Sequence, residues 1–152
     1  MDIGRYPRQR TGFGCVNDPV LGKKESVERC VKQIRAYYRM PSAMPFEEDY
    51  LRQDAIAANL QRICELCIDL ANIVIRKGKL GIPKESRESF AILHRERIVP
   101  DAMARHLMAM VGFRNTLVHQ YQDVDTAIMT DVIENHLDEL IEFTTIVMNY
   151  MG

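Results

Sequence analysis

Between Tyr50 and Lys77 the apolar residues Ile56, Leu60, Ile63, Cys67, Leu70 and Val74 recur in steps of four and three. That spacing puts all six along one narrow face of an α-helix, the seam used when helices pack side by side in a bundle. A long helix with a single apolar stripe cannot bury it alone, so the rest of the chain must supply companion helices. Four further segments do so. Val27, Cys30, Ile34 and Tyr37 mark a helix over Asp18 to Arg39, which Pro41 and Pro45 end. Gly78, Gly81 and Pro83 close the long helix. A short helix follows from Ser86, read as its N-cap, to about Glu96. A fourth runs from Pro100-Asp101 to about Val118. The last starts near Asp123 or Asp125 and reaches the C-terminus on Ile133, Leu137, Leu140, Thr144, Val147 and Met151. No segment reads as a strand. The predicted fold is all-α: an up-down antiparallel bundle of four main helices plus a short one, its connections short enough to make neighbours antiparallel.

With 152 residues the chain suits one domain around one core. Residues 1–16 lack periodicity, are rich in Gly, Arg and Pro, and are expected to form a flexible N-terminal extension before a helical domain over 17–152. No apolar run approaches the length of a membrane span, and the N-terminus lacks the apolar stretch of a signal peptide, so the expected location is cytoplasmic. The net charge of −1 conceals a gradient: +5 over residues 1–40, 0 over 41–100 and −6 over 101–152. The basic third could contact phosphates, although a solvated face explains a charge bias equally well.

Four cysteines are present, two of them as Cys64-x-x-Cys67 inside the long helix. With no second Cys or His pair at zinc-site spacing, they read as reduced core thiols, and no metal ligand set is expected. The Glu-x-x-His pairs of di-iron bundles are absent as well.

One residue breaks the pattern. The seam of the fourth helix reads Met103, Leu107, Met110, Arg114, Leu117, with a guanidinium where an apolar side chain belongs. Arginine cannot shed its charge, and an unpaired one there would cost several kcal/mol. Either a carboxylate pairs with it, or this end of the seam opens into a cleft or an interface, or the side chain reaches outward along its stem. His119 follows five residues later, about 140° further around a regular helix. The two share a site only if the helix ends near Val118 or if a two-fold axis brings in the same pair from a second chain. The long helix also carries a polar stripe, Glu65, Asp69, Asn72 and Arg76, read as a solvent face. If it faces a cleft instead, Asp69 is the candidate partner for Arg114 or His119.

The stretch "RNTLVHQY" resembles the R-x4-H-x-Y signature of the HepT-like toxins of the HEPN superfamily. "SVERCVKQI", "NLQRICELCIDLANIVI", "LGIPKESRESFAIL" and "MVGFRNTLVHQYQDVD" are similar to family segments in the same order, so the resemblance covers roughly Asn17 to the C-terminus. Residues 1–16 have no counterpart. The resemblance implies a symmetric homodimer and a metal-independent, cofactor-free endoribonuclease that is the toxin of a HEPN/MNT toxin–antitoxin system. Arg114 and His119 would be catalytic at the dimer interface, with Asn115 supporting them. The implied partners are RNA and a minimal nucleotidyltransferase (MNT) antitoxin that AMPylates Tyr121. Transfer RNA is the expected substrate and messenger RNA the alternative. Two other readings compete: a non-catalytic subunit that presents substrate or nucleotide to a nucleotidyltransferase, and a purely structural dimerisation bundle.

Overall fold

The computed structural model describes residues 18–119 and 125–152. Six α-helices appear among them: α1 Asp18–Arg39, α2 Tyr50–Gly78, α3 Ser86–Arg95, α4 Asp101–His119, α5 Thr126–Asn135 and α6 Leu137–Met151, with a 3-10 turn at Phe46–Glu48. No strand occurs among the described residues. The expected bundle is therefore present, and four of the five expected helices lie within a residue of their predicted ends.

Cross-links between helices fix their directions. Near the start of α1, Lys23 binds Asp69 late in α2 at 3.2 Å. At the other end of the pair, Arg52 at the start of α2 donates to the Tyr38 carbonyl at 2.9 Å. The two helices are thus antiparallel. The same holds for α1 against α6, where Lys24 meets Thr144 at 3.2 Å and Arg35 meets Asp138 at 2.7 Å.

The seam of α2 is the core of the molecule. Ile56, Leu60, Ile63, Cys67, Leu70 and Val74 are all buried, because α2 packs on α1, α3, α4 and α6. Phe90 of α3 and Phe143 of α6 meet edge to face at 5.8 Å, a favoured aromatic geometry. Two local devices place α2. Asp49 caps its start, accepting from the Arg52 amide at 3.2 Å, the Arg52 Nε at 2.9 Å and the Ser42 hydroxyl at 2.7 Å. At the far end Lys79 takes a left-handed turn (φ 53°), and the Leu80 amide returns to the Ile75 carbonyl. Gly78 remains helical; a Cβ there would collide with the Tyr150 hydroxyl of α6, so the glycine permits that close approach.

Two expectations are corrected. Ser86 is the first residue of α3, not its cap: Glu85 holds the N-cap position without a side-chain bond. Glu88 instead reaches back to the Lys84 amide at 2.6 Å. The last helix is also not continuous. It breaks at His136 (φ −123°, ψ −6°) into α5 and α6. The seam hid this break because Ile133, Leu137 and Leu140 keep the four-three spacing across it, and all three are buried.

Candidate active site

Met103, Leu107, Met110 and Leu117 of α4 are buried as the seam requires. Arg114, between them, keeps 20% of its side chain exposed and forms an ion pair through Nη1 with Oε1 of Glu65 on α2. Glu65 is itself 48% exposed, so the pair sits at the edge of the α2–α4 contact and not in its centre. The guanidinium is only partly served. Its Nε is buried and has no hydrogen-bond partner among the described residues. With Nη1 held by Glu65 and Nε buried, the guanidinium keeps its charge and its Nη2 for a further contact.

Asp69 is the candidate partner for Arg114 or His119 only if the polar stripe of α2 faces a cleft. That residue lies one turn further along α2 and binds Lys23 of α1 instead. The stripe read as a solvent face is one, with Glu65, Asp69 and Arg76 exposed, and from its edges it also ties helices together: Glu65 to α4, Asp69 to α1, and Asn72, accepting from the Ser89 hydroxyl of α3 at 2.7 Å. Sequence spacing located the stripe but not its phase relative to α4.

α4 remains helical through His119, so the backbone positions of Arg114 and His119 stand about 140° apart around one axis. Asn115 is exposed. The His119 side chain and Tyr121 lie outside the described residues. Gly112, Asn115 and His119 share a face of α4 at spacings of three and four. A Cβ on Gly112 would collide with the guanidinium of Arg87 from α3. A second arginine therefore lies over the face that carries Asn115 and His119. Sequence reading missed Arg87; the pairing of a glycine on α4 with a cation on α3 is visible only once the two helices are packed.

The thiols beside the site are not nucleophiles. Burial pushes the Cys64 pKa up to about 12, against the opposing pull of Arg114, and raises that of Cys67 well above its ordinary range. Both are free, as expected, and neither supplies a thiolate near neutrality. Among the described residues no helix is long and apolar enough to cross a membrane.

The chain is 37% identical over 132 residues to the mRNA nuclease HepT of Shewanella oneidensis, covering 87% of this chain and 98% of that protein. It is 33% identical over 82 residues to a tRNA nuclease HepT of Aphanizomenon flos-aquae, across 51% of this chain and 56% of that one. Among solved structures it resembles the tri-AMPylated Shewanella oneidensis HEPN toxin in complex with an MNT antitoxin, with a TM-score of 0.80 at 37% identity, covering 86% of this chain and 97% of the other. The sequence profile of the family described as Ribonuclease HepT-like matches residues 27–147. The chain belongs to the HepT-like ribonuclease family.

Proposed function

We propose that this protein is the toxin of a HEPN/MNT toxin–antitoxin pair: an endoribonuclease that works as a homodimer and is silenced by AMPylation of Tyr121. One observation carries the reading. In a chain that is similar to a HepT nuclease over nearly the whole of that relative, a cation interrupts an otherwise buried seam, and it does so five residues before His119. The 140° between the two positions supports a site completed by a second chain, since one straight helix does not aim both at one point.

The chemistry needs few groups. RNA carries its own nucleophile, the 2′-hydroxyl. His119 takes its proton as the 2′-oxygen forms a bond to the adjacent phosphorus. The bond from phosphorus to the 5′-oxygen breaks, and that oxygen leaves with a proton from the partner protomer's histidine. The products are a 2′,3′-cyclic phosphate and a 5′-hydroxyl, with no metal required. An imidazole with an ordinary pKa near 6.5 suits both proton transfers. Arg114 binds the phosphate oxygens and offsets the charge that builds on them, with Asn115 beside it. Asp69, held by Lys23, has only a supporting role in fixing α1 against α2. Tyr121 lies two residues past His119. A nucleotide attached there adds bulk and negative charge beside the groove and repels the RNA backbone.

The test is cleavage of RNA by the purified, unmodified chain in the presence of EDTA. Cyclic phosphate ends from the wild type, and none from His119→Ala or Arg114→Ala, are expected. Intact mass should rise by AMP increments on Tyr121 after co-expression with an MNT nucleotidyltransferase. Equal cleavage by wild type and both variants would remove these residues from the active site.

A further inference from the structure

The break at His136, which leaves the apolar seam undisturbed, has a second effect. It turns one imidazole toward α4. There His106 of α4 places Nδ1 at 2.9 Å from both carboxylate oxygens of Glu139 on α6. His136 places Nδ1 at 3.7 Å from the same carboxylate. The two rings lie edge to face with centroids 4.8 Å apart. The donor atoms of all three residues fall within 4.8 Å of one another.

The state of His136 can be read from its neighbours. Its Nε2 lies 3.2 Å from Oδ2 of Asp131, an acceptor, so Nε2 carries the proton. Its Nδ1 is buried and has no hydrogen-bond partner among the described residues. In the neutral ring that nitrogen offers a lone pair. It does so beside Glu139, which also offers only lone pairs. Two acceptors side by side, His136 Nδ1 and the Glu139 carboxylate, are satisfied by a proton or a metal ion placed between them.

The surroundings favour a cation as well. The cluster forms part of the wall of a cleft of about 340 Å³ between α4 and the α5–α6 junction, otherwise lined mainly by apolar side chains such as Met110, Phe113, Ile128 and Val132. No Lys or Arg is among the residues lining it, and two carboxylates are.

We propose that His106, His136 and Glu139 bind a divalent transition-metal ion of the zinc class, with Asp131 orienting His136 from behind. Two imidazoles and a carboxylate are an established donor set for zinc, with one tetrahedral position left for water. Ligand atoms about 2.0–2.1 Å from zinc stand roughly 3.4 Å apart. The 2.9 Å and 3.7 Å separations bracket that value. The arrangement of Asp131, His136 and the ion is the carboxylate–histidine–metal relay that fixes tautomer and ring orientation. The site lies two helical turns from Arg114 along α4, about 12 Å. It is separate from the nuclease chemistry: the ion would clip α4 to the junction of α5 and α6.

The experiment is titration of the tag-free full-length chain, first stripped with EDTA and desalted, with zinc chloride by calorimetry and with cobalt chloride by visible absorption. Expected are one equivalent bound per chain, a cobalt d–d spectrum without thiolate charge-transfer bands, and a higher Tm with zinc. His106→Ala and Glu139→Gln should each weaken binding at least tenfold. Asp131→Asn should weaken it by about 10–100-fold, and Glu142→Gln, an exposed carboxylate one turn away, should leave it unchanged. Circular dichroism of each variant verifies folding; if Glu139→Gln loses helicity, His106→Ala at its half-exposed position carries the comparison. Absence of saturable binding, binding indifferent to these substitutions, or a thiolate band would overturn the proposal.

Discussion

α2 and α4 carry the same apolar rhythm and do different things with it. In α2 every seam position is apolar and buried, because helices cover it from several sides. In α4 the rhythm is interrupted at Arg114, where a carboxylate from the flank of α2 holds the charge at the edge of the contact. A seam position is therefore a geometric fact, while its chemistry depends on what covers it. Where cover is complete, as along α2, the seam holds apolar side chains alone. Where it runs out, the position can hold a cation and leave part of its hydrogen-bonding capacity unused. On the proposed function, this contrast separates stability from activity along two helices of one core.

The comparison breaks first on the α2 side. Leu70→Ala, at a fully buried position, should cost about 2–5 kcal/mol. That corresponds to roughly 4–20 °C in Tm for a domain of this size, measured by calorimetry. A loss below about 1 kcal/mol would mean that the α2 seam is no more a core than the α4 seam.

Glu65→Gln tests the edge. The pair is partly solvated, so its loss should cost no more than about 1 kcal/mol, while RNA cleavage falls because Arg114 loses its anchor. Chemical denaturation and cleavage rates on the same preparations measure both.

Asp49 gives the pH arm. The Ser42 hydroxyl first, and then the Arg52 amide, hold its carboxyl below the ordinary value. A depressed pKa means that the folded state binds this proton less readily than the unfolded chain. Its contribution is full above the unfolded value of about 3.9 and is lost as pH falls through the folded value. Asp49→Asn should therefore lower Tm at pH 7, and the wild-type and variant curves should converge below pH 4. A constant gap down to pH 2 would assign the effect to the cap geometry alone. Smallest of all, Asp69→Asn removes an exposed bond to Lys23 and should change Tm and cleavage very little. A large loss of cleavage would return Asp69 to the site.

How much of this was legible beforehand follows from the same contrast. Periodicity shows which face of a helix is apolar, so α1, α2, α3 and α4 were predictable almost to the residue, and Arg114 stood out as the wrong type at its position. Periodicity does not show how one helix is rotated against another. Glu65 and Asp69 are one turn apart on the same stripe, and only packing decides that Glu65 meets α4 and Asp69 meets α1. A break that preserves the spacing is invisible to it too, which is why His136 passed unnoticed. His106, His136 and Glu139 form a cluster only through that break. Cys64 and Cys67 were readable as inert because they stand inside a long helical pattern with no second Cys or His pair at zinc-site spacing. Family resemblance reached the signature around Arg114 and His119, since that signature is contiguous in sequence.

The central claim is that Arg114 occupies its seam position for chemistry and not for stability. Arg114→Met tests it, because an apolar side chain of similar length completes the seam. Replacing an ion pair at a packed position by a hydrophobic residue is often neutral or stabilising. Thermal melting and RNA cleavage measured on one preparation should show an unchanged or higher Tm together with cleavage reduced by roughly 100-fold or more. A variant that melts several degrees lower while cleaving RNA at the wild-type rate would contradict the account.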